Sequence, residues 1–203
     1  MHIEQKRMVS GLLYNSLDAE LVKRRQNAQR LCRLYNQTTE QNTVYRRQLL
    51  TELLGTTGRA VYIEPTFRCD YGFNIHVGEN FYANYDCVML DAAEIRIGNN
   101  VMLAPRVGLY TAAHPIDAGV RNTYLEFAKP ITIGDNVWIG ANSSIVPGGC
   151  VGNNTVIGAG SVVTKNIPDN VVAAGVPCRV IKEITPEDAR FWQAQQDDYY
   201  SAL

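Results

Sequence analysis

The chain has no long apolar run, no CxxC pair, no excess of either charge and only three histidines among its 203 residues. Each shortage removes a class of function. No stretch approaches the roughly 18 consecutive apolar residues of a membrane span, and the start MHIEQKRMVSG lacks the apolar stretch of a signal peptide, so a cytoplasmic, membrane-free protein is expected. A formal net charge of -1, with scattered basic residues, offers nucleic acid no general attraction. Cys32, Cys69, Cys87, Cys150 and Cys178 are odd in number, and in a chain long enough to fold without staples they read as reduced thiols. His2, His76 and His114 share no metal-ligand spacing. GxSxG, GxGxxG and Walker patterns are also missing, so metal catalysis and redox chemistry are not expected.

What is present is a six-residue period. Residues 131 to 163 read ITIGDN, VWIGAN, SSIVPG, GCVGNN, TVIGAG and SVV, which places Ile133, Ile139, Ile145, Val151, Ile157 and Val163 in one register. Neither a helical face nor a two-residue strand alternation produces that spacing. Three six-residue faces make one triangular coil, and stacked coils pair strands in parallel about 4.8 Å apart. The aliphatic residues then form internal columns, while glycine, asparagine and aspartate serve the corners.

The period divides the chain into an N-terminal helical region, 1–58, a parallel β-helix, 59–184, and a tail or short helix, 185–203. The first segment carries helically spaced apolar residues in two or three short helices, with a polar break from Asn36 to Asn42. Within the coils, Val77, Ala83, Met89 and Ile95 are six apart, and so are Ile97, Leu103 and Leu109. The offset between these registers implies a two-residue insertion near Ala92. A longer interruption, 110–130, places a polar loop in a rigid stack, where chemistry is commonly carried. Thr185 followed by Pro186 and Glu187 is a helix start.

Among the histidines, His2 lies at the start and His76 sits in a coil with its side chain pointing outward or to a corner. His114 stands in the loop before Pro115, with the short side chains of Ala112 and Ala113 leaving room around it. Its two readings are a catalytic base and a surface or hydrogen-bonded loop residue. A free imidazole, with an ordinary pKa of about 6.5, can take a proton from a hydroxyl that attacks an activated carbonyl. Asp70, Asp86, Asp91 and Glu126 are carboxylates that could assist such a base, and Asp86 and Asp91 equally suit corner caps. Backbone amides or Asn84 could steady a developing oxyanion.

The repeats, together with NFYANYDCVMLD, LYTAAHPID and KPITIGDNVWIGANSSIVPG, resemble the hexapeptide-repeat sugar O-acetyltransferases, in particular the maltose and galactoside acetyltransferase group. The likeness extends over nearly the whole chain and includes VTKNIPDNVVAAGVPCRVIKEI. It implies a homotrimer of left-handed parallel β-helices that moves acetyl from acetyl-CoA to a sugar hydroxyl in clefts between subunits. By that resemblance His114 is the general base, Asn84 lies beside it, and Trp138 shapes the same cleft. Donor binding is implied at Asn84, Trp138, Ala141, Ala159, Thr164, Lys165, Arg179 and Lys182, the small residues admitting pantetheine and the cations meeting phosphates. Ala141 and Lys182 replace a serine and an arginine of the galactoside branch. Ser16 and Asp70 stand where that branch has aspartate and serine, and Glu126 replaces a methionine, so the acceptor contacts differ from those of a galactoside enzyme. Tyr82 and Asp91 join Ser16, Asp70 and Glu126 as expected acceptor residues.

The expected activity is O-acetylation of glucose, maltose or a related sugar, with no metal. Galactoside acetylation, acetylation of an amino sugar or small amine, and a non-enzymatic scaffold role are the competing readings.

Overall fold

The computed structural model describes residues 1–203. Three helices precede the coils, α1 (Ile3–Val9), α2 (Ala19–Asn36) and α3 (Thr43–Leu53). At 18 residues, α2 is longer than the short helices expected. Asp18 starts it by accepting the amides of Glu20 and Leu21 at 3.1 and 3.3 Å, which satisfies donors that a first helical turn leaves open. The buried stripe of α2, Leu21, Ala28, Leu31, Cys32 and Tyr35, faces α3 and the first coils.

From Val61 the chain winds through about six coils, a parallel β-helix with three sheet faces. One face stacks seven strands, beginning with Val61–Ile63 and Phe81–Ala83 and ending with the antiparallel Arg179–Glu183. A second stacks five, from Arg68–Cys69 to Val162–Val163, and a third stacks four, from Ile75–Val77 to Cys150–Val151. Each face sends one column inward. Cys69, Met89, Leu109, Ile145 and Val163 lie in direct register on the five-stranded face, and all are buried.

Register also accounts for the offset in the sequence. Val77, Ile97 and Ile133 are paired, so Met89 to Ile97 spans eight residues rather than six. The same extra pair recurs one coil earlier, between Cys69 and Val77. Asp91 occupies this widened corner fully buried, and its carboxylate accepts the amides of Asp70, Tyr71 and Asn74 at 3.1, 2.8 and 3.3 Å. His76 points outward, with Nδ1 3.0 Å from the Thr56 hydroxyl.

One corner is a polar ladder. Asn80, Asn100, Asn136, Asn154 and Asn170 adopt positive φ of 53 to 57°, a region asparagine tolerates better than branched residues. Their side chains bond from coil to coil at 2.9, 3.0, 2.9 and 3.1 Å. Beside them, Gly134 is required by close approach, because a Cβ there would fall 2.6 Å from Asn153 Oδ1 and 2.9 Å from its amide nitrogen.

The interruption at 110–130 is a β-arm rather than a plain loop. Ala112–Ala113 pairs antiparallel with Leu125–Ala128, and α4 (Ala118–Arg121) forms its tip. Tyr14–Asn15, from the N-terminal region, adds a third strand on the other edge of Leu125–Ala128. The tail forms α5 (Pro186–Ser201), where the Thr185 amide donates to Asp188 Oδ2 at 2.9 Å.

Gly134→Ala is expected to lower stability by about 1–3 kcal/mol through this steric overlap, read as a lower urea midpoint. Gly160→Ala, with nothing within 4 Å of its added methyl, keeps only the penalty of its positive φ, about 1 kcal/mol. A Gly134→Ala midpoint equal to wild type would refute the close-approach argument.

Candidate active site

His114 follows the Ala112–Ala113 strand, so the three-stranded arm sets its position. Its side chain lines a cavity of about 310 Å³ together with Ser16, Asp70, Glu126, Tyr14 and Arg25. Four of the expected residues, His114, Ser16, Asp70 and Glu126, are thus brought together from three separate stretches of chain.

Tyr14 and Arg25 were not singled out in the sequence. The Tyr14 hydroxyl donates to Glu126 Oε2 at 2.8 Å, and these two residues are also cross-strand partners. Burial, reinforced by the charge of Glu126, pushes the Tyr14 phenol far above its ordinary value, so it serves only as a donor. Arg25 donates to the Tyr71 hydroxyl at 2.8 Å and to the Ser16 carbonyl at 2.7 Å, and its guanidinium lies 5.7 Å from the Tyr71 ring centre. No linear pattern marks either residue. Arg25 sits in the basic run KRR of α2, and Tyr14 directly follows Leu12 and Leu13.

Asp70 is the titratable wall of this cavity. Burial raises its carboxyl to about 6, with Arg25 opposing the shift and Glu126 adding to it. Asp91 lies behind the wall rather than in it, with its carboxylate occupied by backbone amides. Burial raises it to about 7 despite those bonds. The corner-cap reading therefore describes its geometry, and a place for Asp91 lining the cleft is corrected by its complete burial.

The other expected residues lie elsewhere. Asn84 follows the strand Phe81–Ala83, at the corner leading into the five-stranded face, whereas His114 leaves that face by the opposite corner. Ala141 and Ala159 stack on the Asn84 corner, joined by the Gly160 amide donating to the Ala141 carbonyl at 2.8 Å. Tyr82 and Trp138 both pair with Met102, forming an outward row on the adjoining seven-stranded face. Thr164 and Lys165 are exposed just after Val163, and Arg179 and Lys182 lie on the last antiparallel strand. Lys182 is held by Asp188 at 2.6 Å. Within one chain, the five-stranded face separates the His114 cavity from Asn84, Tyr82 and Trp138.

Residues 7–58 match the maltose acetyltransferase hexapeptide capping motif, and residues 130–165 match the bacterial transferase hexapeptide in its six-repeat form. The galactoside O-acetyltransferase of Escherichia coli K12 is 42% identical over 187 residues, 92% of either chain. The chain belongs to the maltose and galactoside O-acetyltransferase group.

Solved structures of this acetyltransferase group superpose over nearly all of it. A maltose O-acetyltransferase from Clostridium difficile 630 is 54% identical with a TM-score of 0.89, covering 91% of this chain and 98% of that one. A galactoside acetyltransferase in complex with coenzyme A is 41% identical, also at 0.89, covering 93% and 94%. The fold is accordingly the left-handed parallel β-helix of hexapeptide-repeat acetyltransferases. None of its helices is long and apolar enough to cross a membrane.

The Asp70 carboxyl holds its proton more tightly when folded than at the unfolded value of 3.8. Its contribution to stability is therefore full below about pH 3.8 and lost as pH rises through about 6, by at most about 3 kcal/mol. Asp70→Asn is expected to flatten the urea-midpoint curve between pH 4 and 7. An unchanged slope would locate the proton uptake in another group.

Proposed function

We propose that this acetyltransferase moves the acetyl group of acetyl-CoA to a hydroxyl of glucose, maltose or a related saccharide, with His114 as general base. The observation that carries this reading is the single cavity holding His114, two acceptor-facing carboxylates, Asp70 and Glu126, and Arg25. Carboxylates accept sugar hydroxyls and Arg25 donates to ring or hydroxyl oxygens, so the cavity suits a polyol. The bond from Tyr14 fixes Glu126, which either receives a sugar hydroxyl or orients the imidazole.

In the proposed reaction the His114 imidazole takes the hydroxyl proton as that oxygen bonds to the acetyl carbon. The carbon–sulfur bond breaks, the imidazolium returns the proton to the departing sulfur, and an acetyl ester remains on the sugar. Asn84 Oδ1 already accepts the Tyr85 amide at 2.8 Å, which leaves the Asn84 Nδ2 group free to donate to the developing oxyanion.

Because Asn84 and Trp138 lie across the five-stranded face from His114, the reading includes a homotrimer in which a neighbouring copy brings these residues to the cavity. The stacked Ala141 and Ala159 present a low corner along which pantetheine fits. Thr164, Lys165, Arg179 and Lys182 serve the phosphates, with Lys182 exchanging its Asp188 contact for that role. Five free cysteines suit a reducing cytoplasm. Ser16 and Asp70 favour glucose or maltose over galactosides.

The test is acetyl-CoA turnover across glucose, maltose, galactosides and glucosamine, with mass spectrometry of each product and alkaline hydroxylamine to distinguish esters from amides. An ester of glucose or maltose is expected; preferential amide formation would move the acceptor to an amine. His114→Ala is expected to lower kcat at least about 100-fold while keeping the thermal midpoint and coenzyme A affinity. Turnover equal to wild type in a contamination-controlled preparation would remove His114 as the base.

A further inference from the structure

The His114 cavity does not end at Asp70. Asp70 and Leu90 also line a second and larger cavity, of about 500 Å³, between α2 and the first strands of the five-stranded face. The two spaces share Asp70 and Leu90 and so lie side by side.

The second cavity has a different electrostatic character from the first. Its charged lining is Arg33, Arg68 and the shared Asp70. Some exposed cations of this chain are paired, as Arg30 is with Glu52 at 2.9 Å and Arg96 with Glu94 at 2.5 Å. Arg33 and Arg68 have no carboxylate within 4.0 Å, and neither guanidinium makes a hydrogen bond in the protein. Gln29 and Gln37 add uncommitted amides at the rim, whereas Asn36 is used up by the backbone of Phe67 at 2.9 Å in both directions.

Two unpaired guanidiniums beside amides, in a cavity that adjoins the polyol cavity, describe a subsite for an anionic group carried on a second sugar unit. We propose that the acceptor class includes disaccharides or longer saccharides bearing a phosphate or carboxylate on the distal unit, bound with the reacting sugar at His114 and the anion between Arg33 and Arg68. This inference rests on the sugar-acetylating reading of the His114 cavity, and it adds a site and a charge requirement to that reading.

Direct binding measured by isothermal titration calorimetry gives a readout independent of turnover. Maltose, maltose 6′-phosphate and glucose are compared as acceptors and as titrants for wild type, Arg33→Gln and Arg68→Gln. In wild type the phosphorylated disaccharide is expected to show kcat/KM at least about tenfold above maltose and a Kd at least about tenfold lower. Each arginine variant is expected to remove most of the charged-to-neutral ratio, and the ratio should fall with added salt. Acetylation of glucose and maltose with neither a phosphate advantage in turnover nor one in binding would overturn the subsite and leave the sugar reading standing. Arginine-dependent binding of maltose 6′-phosphate without acetylation of any sugar would uphold the anion site and overturn the sugar reading.

Discussion

Each coil carries inward aliphatic residues that it cannot cover by itself. Ile139 is buried because Leu103 lies in register on one side and Ile157 on the other, and the same dependence runs through all three columns. Burying one such side chain stabilises by about 1.5–3 kcal/mol, so the stack gains only when neighbouring coils hold their register. The corners enforce it. The asparagine ladder and the closely approached Gly134 allow one vertical spacing, and a slipped coil would lose both its side-chain bonds and its inward aliphatics.

That rigidity is what makes the interruption at 110–130 useful. A long insertion in a flexible scaffold would leave His114 unplaced. Here the arm leaves and rejoins the stack at fixed points, Tyr110 and Ile131, and its return strand is gripped by Tyr14–Asn15 from the N-terminal region. The helical region thus does more than cover the open end of the β-helix. It supplies Tyr14, Ser16 and Arg25 to the His114 cavity, and the Tyr14 hydroxyl ties the two regions together at Glu126.

The triangular cross-section also divides the proposed site. Asn84, Ala141 and Ala159 follow one corner and His114 another, with the width of a sheet between them. A prism cannot turn two of its corners into one cleft, so the proposed chemistry calls for a second prism beside the first. Asp70 lies between the His114 cavity and the larger one lined by Arg33 and Arg68, and burial there raises its carboxyl.

The six-residue register was legible in the sequence because coil repetition writes tertiary contacts directly into local spacing. An aliphatic every sixth residue, backed by glycine and asparagine, permits few other folds. His114 was legible too, as the only histidine in an interruption of that register, and the Ala92 offset announced an inserted pair. The matching insertion at Tyr71 was not, because too few repeats precede it to establish a register. Tyr14 and Arg25 were hidden for a different reason: Tyr14 meets Glu126 across 112 residues through a strand pairing that leaves no periodic trace. Asp91 read equally as an acceptor ligand or a corner cap, and only the fold, by burying it beneath three backbone amides, gave it a place. The sequence by itself therefore determined the β-helix and the place of His114 in an interruption of it, since both depend on residue type and local spacing. Tertiary structure alone decided which polar groups surround His114 and which stand a sheet's width away, because those distances are set by the stacking of coils and the pairing of distant strands.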